Sequence, residues 1–134
     1  WTDPDNRRTY PWGREDQNLI QYHRDIIAIH KDEEALMKGS LKYLYGSFKV
    51  LGYGRFTDTE KMVVLINSGF DEARVKVSVW EVGVTDDEEM VEVIMSNEEG
   101  YTMEKKVHPV TSGVLDITLP RVSAILLKAV EIEK

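Results

Sequence analysis

The spacing of hydrophobic and polar positions changes near residue 39. Between residues 15 and 31 the apolar positions Leu19, Tyr22, Ile26 and Ile29 recur at helical spacing, and Ile20 and Ile27 widen the stripe. Gln17, Asn18, Gln21, Arg24 and Asp25 fall mostly opposite, so the stretch predicts an amphipathic helix. Glu15 and Asp16 at its start and Lys31 near its end suit the helix dipole. Residues 33–38 add a short further turn, and Gly39-Ser40 ends the helical part.

From there on the period is two, with strands expected at 41–45, 50–56, 62–67, 74–82, 90–96, 101–109, 114–119 and 124–130. Asn67-Ser68-Gly69, Asn97-Glu98-Glu99-Gly100 and Ser112-Gly113 punctuate them as turns. Val75, Val77 and Val79 alternate with Arg74, Lys76 and Ser78, which sends the valines to a core and puts Trp80 on the outward side. Leu115, Ile117 and Leu119 alternate with Asp116 and Thr118 in the same way. The segments 62–66 and 124–127 are apolar at nearly every position, as central strands are when a helix packs on their outer face. The expected fold is therefore mainly β: an antiparallel, Greek-key-like two-sheet sandwich of about eight strands, preceded by one amphipathic α-helix.

Composition narrows the function. The 134 residues, 42% hydrophobic and 31% charged, suffice to bury one real core. With 17 Lys and Arg against 24 Asp and Glu, the net charge of -7 opposes a polyanion, so nucleic acid is excluded as a partner. The absence of Cys removes disulfides, thiolate zinc sites and cysteine nucleophiles. The apolar runs are strand-length, far short of a membrane span, so no membrane partner is expected.

Few residues carry chemistry. The run Asp86-Asp87-Glu88-Glu89 lacks the alternate spacing and tight glycine turn of a calcium loop, and reads as a solvated loop between strands. His23 and His30 lie two helical turns apart and His108 stands beside Pro109 in a strand, so they share no metal. No metal and no cofactor is expected. Trp80 offers a stacking surface for a sugar ring, but packing against the helix or a neighbouring domain is the stronger expectation. Residues 2–12 have no helical or alternating period, and Pro4 and Pro11 hold their neighbours extended or in turns. Asp3 and Arg7, four positions apart around a Pro-initiated turn, can set a carboxylate and a guanidinium on one side of that loop, matching sugar hydroxyls or simply pairing with each other. Such a loop is costly to order without a larger body to hold it, so the chain reads as the end of something larger.

The segment Thr2-Asp3-Pro4-Asp5-Asn6-Arg7-Arg8, then Pro11-Trp12, then the helix Leu19 through Lys31 and Ala35-Leu36-Met37-Lys38-Gly39 resemble the C-terminal portion of glycoside hydrolase family 13, the α-amylase superfamily. The likeness is to its neopullulanase, cyclomaltodextrinase and maltogenic amylase group. In that family a similar Asp-Pro-x-x-Arg loop joins the last strand of a (β/α)8 barrel to its last helix, and a β-sandwich, domain C, follows. The resemblance implies that residues 1–39 are that loop and helix and residues 40–134 are domain C, ending with Gly113 to Pro120 and a final apolar strand.

It implies, too, that Asp3 and Arg7 are substrate-binding residues at the active-site face, contacting a glucose unit on the non-reducing side of the scissile bond. No catalytic residue is expected in this chain, because the family's nucleophile, general acid and third carboxylate belong to earlier barrel strands. The parent would be a retaining hydrolase of α-1,4 glucosidic bonds, with α-1,6 bonds as an extension, and its partner an α-glucan oligosaccharide or cyclodextrin. The barrel itself would be the intramolecular partner of the helix. Without it the apolar flank would self-associate, or Leu19, Ile26 and Ile29 would dock on the sandwich. The alternative is a non-catalytic carbohydrate-binding or structural sandwich module.

Overall fold

The computed structural model describes residues 8–133. Helix α1 spans Gln17–Asp32, and Asp16 caps it by accepting the Leu19 N–H at 3.0 Å. Glu33 interrupts the helical run before the short α2, Glu34–Lys38. Nine strands follow: β1 Ser40–Gly46, β2 Val50–Phe56, β3 Lys61–Asn67, β4 Ala73–Val77, β5 Glu88–Asn97, β6 Gly100–Thr102, β7 Val107–Thr111, β8 Val114–Leu119 and β9 Ser123–Glu131. A 3₁₀ turn, Val79–Val82, lies between β4 and β5.

All pairings are antiparallel, in the order β1-β2-β3-β9-β5-β7-β8-β4, with β6 paired to the far end of β5. The sandwich closes through β7. Its residues Val107 to Pro109 pair with β5 in the larger layer, and Val110 and Thr111 pair with β8 in the smaller one. Pro109 stands at this corner, where a missing N–H costs the ladder least.

The core lies between the layers. Val63 and Leu65 of β3, Ile125 and Leu127 of β9 and Met90 of β5 pack against Val75 and Val77 of β4 and Leu115, Ile117 and Leu119 of β8. Strands β3 and β9 pair in the middle of the larger layer, as their unbroken apolar runs require. Their outer face is covered at one end, where Ile29 of α1 and Ala35 of α2 bury against Met62 and Val93.

Two strand expectations change. The segment expected at 74–82 leaves the sheet after Val77, and Val79 reaches the core from the 3₁₀ turn instead. Trp80 is therefore on no strand. It is 58% exposed, donates its N–H to the Gly113 carbonyl at 3.0 Å and packs against the Ser112-Gly113 turn rather than on the helix. The segment expected at 101–109 is two strands, because residues 103–105 leave the ladder of β5 and pairing resumes only where the Glu92 N–H donates to the Lys106 carbonyl at 2.8 Å.

Candidate functional site

The best-supported site region is the junction where the loop at residues 8–16 runs into α1 and α1 settles on the sandwich. Asp3 and Arg7 lie outside the described residues. What is described next to them is an aromatic turn: the Arg14 N–H donates to the Pro11 carbonyl at 2.9 Å around Gly13 at φ 79°, the geometry of a type II turn with glycine where that turn requires a positive φ. Tyr10 and Trp12 meet edge to face, 4.7 Å between centroids, and Trp12 is 82% exposed. Together with Arg8 and Arg14 they line an open hollow. Exposed aromatic faces with guanidinium donors suit a polyol, packing on its C–H face and donating to its hydroxyls.

Helix α1 docks on the sandwich by a stripe that its apolar pattern alone does not reveal. Tyr22 places its hydroxyl 3.3 Å from Ser96 Oγ and its ring 4.9 Å from that of Tyr101. The Tyr101 hydroxyl donates to Asp25 Oδ2 at 2.6 Å, and this bond pushes the phenol pKa up. Ile29 completes the stripe. At the far end Lys128 Nζ reaches Glu33 at 2.7 Å and Glu60 at 3.4 Å, while Glu60 Oε2 accepts the Ala35 N–H at 3.3 Å. Burial and the nearby Glu60 hold Glu33 above the ordinary carboxylate range, whereas hydrogen bonding with Glu33, then Lys128, holds Glu60 below it. Burial opposes the Lys128 charge, but the two carboxylates outweigh it and raise its pKa. The triad clamps the helical segment to strand β9 and the β2–β3 turn.

Of the expected docking residues, only Ile29 docks. Leu19 is 52% and Ile26 36% exposed, and Ile27 is uncovered as well. At 100° per residue Tyr22, Asp25 and Ile29 lie within about 60° of arc, Leu19 and Ile26 border them on one side, and Ile27 lies farther round, so the sandwich covers one edge of a wide apolar face and leaves its other flank open.

The acidic run is not the solvated loop that its charge suggests. Asp86 accepts the Ser112 and Gly113 N–H groups at 2.8 and 2.7 Å, fixing the β7–β8 turn. Glu88 is buried, accepting from Lys61 Nζ at 2.7 Å and from the Thr85 N–H at 3.0 Å. Burial opposes its ionisation, yet these donors hold its pKa below the usual range. The run's role is visible only once the Lys61 and Ser112-Gly113 partners are in place, and no local signal marks it.

The three histidines stay apart. His23 Nδ1 lies 2.8 Å from the Leu19 carbonyl, His30 is exposed on α1, and His108 pairs with the buried Glu92 at 2.6 Å. Sequence reasoning missed Asp25, set on the polar side of the helix although it bonds Tyr101; the signal was its i+3 spacing from Tyr22.

No protein-family model matches the chain. It is 43% identical over 53 residues, 40% of its length, to an amylopullulanase of Thermoanaerobacter thermohydrosulfuricus, of which it covers 4%. It is 24% identical over 93% of its length to an amylopullulanase of Thermoanaerobacterium saccharolyticum, of which it covers 10%. Among solved structures, the α-amylase of Geobacillus thermoleovorans complexed with acarbose matches 98% of the chain at a TM-score of 0.78 and 21% identity, and the chain covers 27% of it. The chain thus spans a tenth or less of the curated relatives it matches. The resemblance to the α-amylase superfamily recurs in both sequence and fold.

Proposed function

We propose that this chain is the C-terminal part of an α-glucan hydrolase of the α-amylase superfamily, with residues 1–39 the last loop and helix of a catalytic barrel and residues 40–134 its domain C. The observation that carries this reading is the uncovered flank of the apolar face of α1, with Leu19, Ile26 and Ile27 exposed while the adjoining stripe at Ile29 is fixed to the sandwich. A barrel against that face would bury it, and domain C would hold the helix in place from behind. The small share of the amylopullulanases that the chain covers supports the same reading.

In the intact enzyme Asp3 and Arg7 position a glucose unit, and the exposed Tyr10 and Trp12 extend that wall of the cleft. Their contribution is orientation of the substrate. The carboxylates that break the bond, through a covalent glycosyl intermediate, come from the barrel. The substrates are α-1,4-linked glucans, with α-1,6 branch points as the extension that the amylopullulanase likeness supports.

The test joins this chain to the polypeptide encoded upstream of it and follows reducing-sugar release from starch and pullulan. The chain alone is expected to release none and the joined protein to release it, with Arg7→Ala raising KM about tenfold, the worth of one charge-assisted hydrogen bond. An upstream region encoding no barrel with its carboxylates would overturn the reading.

A further inference from the structure

We propose that the cleft between the first turns of α1 and the β5–β6 hairpin is a second oligosaccharide site, binding a stretch of α-glucan away from the bond being cleaved. The hydrolase reading supplies the identity of the sugar; the site itself stands on geometry. The cleft holds about 660 Å³, within the range of small-ligand sites. Tyr22 and Tyr101 form its wall, their rings tilted 54° to each other at 4.9 Å. Both hydroxyls are already tied down, to Ser96 and Asp25, so the rings are fixed before any ligand arrives and little side-chain entropy is lost on binding. Aromatic walls of this kind take the C–H face of a pyranose.

The rim supplies the hydroxyl partners. The amides of Asn18, Gln21 and Asn97 line it beside the Asp16, Glu98 and Glu99 carboxylates. Among the described residues no Lys, Arg or His lines the cleft, so it suits a neutral polyol and repels phosphorylated sugars and nucleic acid. Its place matters as much as its lining. It opens at the N-terminal end of α1, two residues beyond Arg14 of the aromatic turn. Barrel helices begin at the active-site face, so on the hydrolase reading the cleft lies at the same end of the molecule as the substrate groove. A long glucan held at both places binds more tightly than at either alone.

The test titrates maltoheptaose into the 134-residue chain by calorimetry. Binding is expected, weakened about tenfold by Tyr101→Ala and retained by Tyr101→Phe, which keeps the ring. Asn18→Ala, at an exposed helical position where alanine keeps the fold, is expected to weaken binding as well. Trp80→Ala is expected to leave it unchanged. Loss of binding with Trp80→Ala in place of Tyr101→Ala, or no maltoheptaose binding at all, would overturn the cleft site while starch hydrolysis by the joined protein still stood. Binding of cellohexaose in place of maltoheptaose would overturn the α-glucan assignment of the cleft, while starch hydrolysis by the joined protein decides the parent's substrate class independently.

Discussion

Replacing Lys61 by methionine removes the one side-chain cation bonded to Glu88 and keeps the length of the aliphatic stem. Glu88 is 8% exposed and its carboxylate accepts from Lys61 at 2.7 Å, so the variant leaves a buried charge with only the Thr85 N–H and hydroxyl as donors. Breaking a buried pair this way costs about 3–5 kcal/mol. The surviving Thr85 bonds offset about 1 kcal/mol of it, which leaves a net loss of roughly 2–4 kcal/mol near neutral pH.

The pH dependence changes sign. In the native chain Glu88 titrates below its ordinary range, so its stabilisation is complete above the unfolded pKa of about 4.3 and is lost as the pH falls through the lower folded value. In Lys61→Met burial dominates and the folded pKa rises above about 4.3, so the variant regains stability as the pH falls from that raised value towards the unfolded one. Urea unfolding at about pH 7, about pH 5 and about pH 3 reads both effects, the native loss appearing only in the last step, and Lys61→Met with Glu88→Gln is expected to recover most of the loss. A single variant within about 0.5 kcal/mol of the native chain, or one that loses stability on acidification as the native chain does, would refute the reasoning.

Two further outcomes are expected. Gly113→Ala should cost about 2–4 kcal/mol by denaturant unfolding, because φ is 75° and the new Cβ would sit 2.6 Å from Trp80 Cβ, an atom that Trp80→Ala would not remove. Gly13→Ala, at φ 79° with nothing within 4 Å, should cost only the backbone term of about 1 kcal/mol. On α1, Ile29→Ala should cost about 2–4 kcal/mol and Ile26→Ala under about 0.5 kcal/mol; equal effects would mean that the helix docks by its other face.

Much of the fold is legible in the residues. Asp16 ahead of a helical stripe, alternating valines and two wholly apolar segments led to one helix, the strands and the central pair β3 and β9. What escaped depended on partners distant in sequence. The alternation Val75, Val77, Val79 runs unbroken from strand into 3₁₀ turn, because both conformations bring the third valine to the core, and so Trp80 was placed on a strand it does not join. Glu88 lies in a run of four acids whose composition says solvent, and only Lys61, 27 residues earlier, reverses that. The helix showed that it was amphipathic, but which face the sandwich takes is decided by Tyr101 and Ser96, and those belong to a hairpin that sequence periodicity does not tie to α1. Of the candidate site, Asp3 and Arg7 are expected through a resemblance and lie outside the described residues, whereas the cleft beside Tyr22 exists only once helix and hairpin meet.

Strand β9 carries a consequence for how the molecule is made. It is the latest strand in the chain and yet sits between β3 and β5, bonded to both. While the ribosome is still making the preceding residues, β1 to β3 have no neighbour to join them to β5 to β7 across the larger layer. Both flanking edges wait open until residues 123–131 emerge, and the sheet then closes through contacts of long sequence separation, the slow kind.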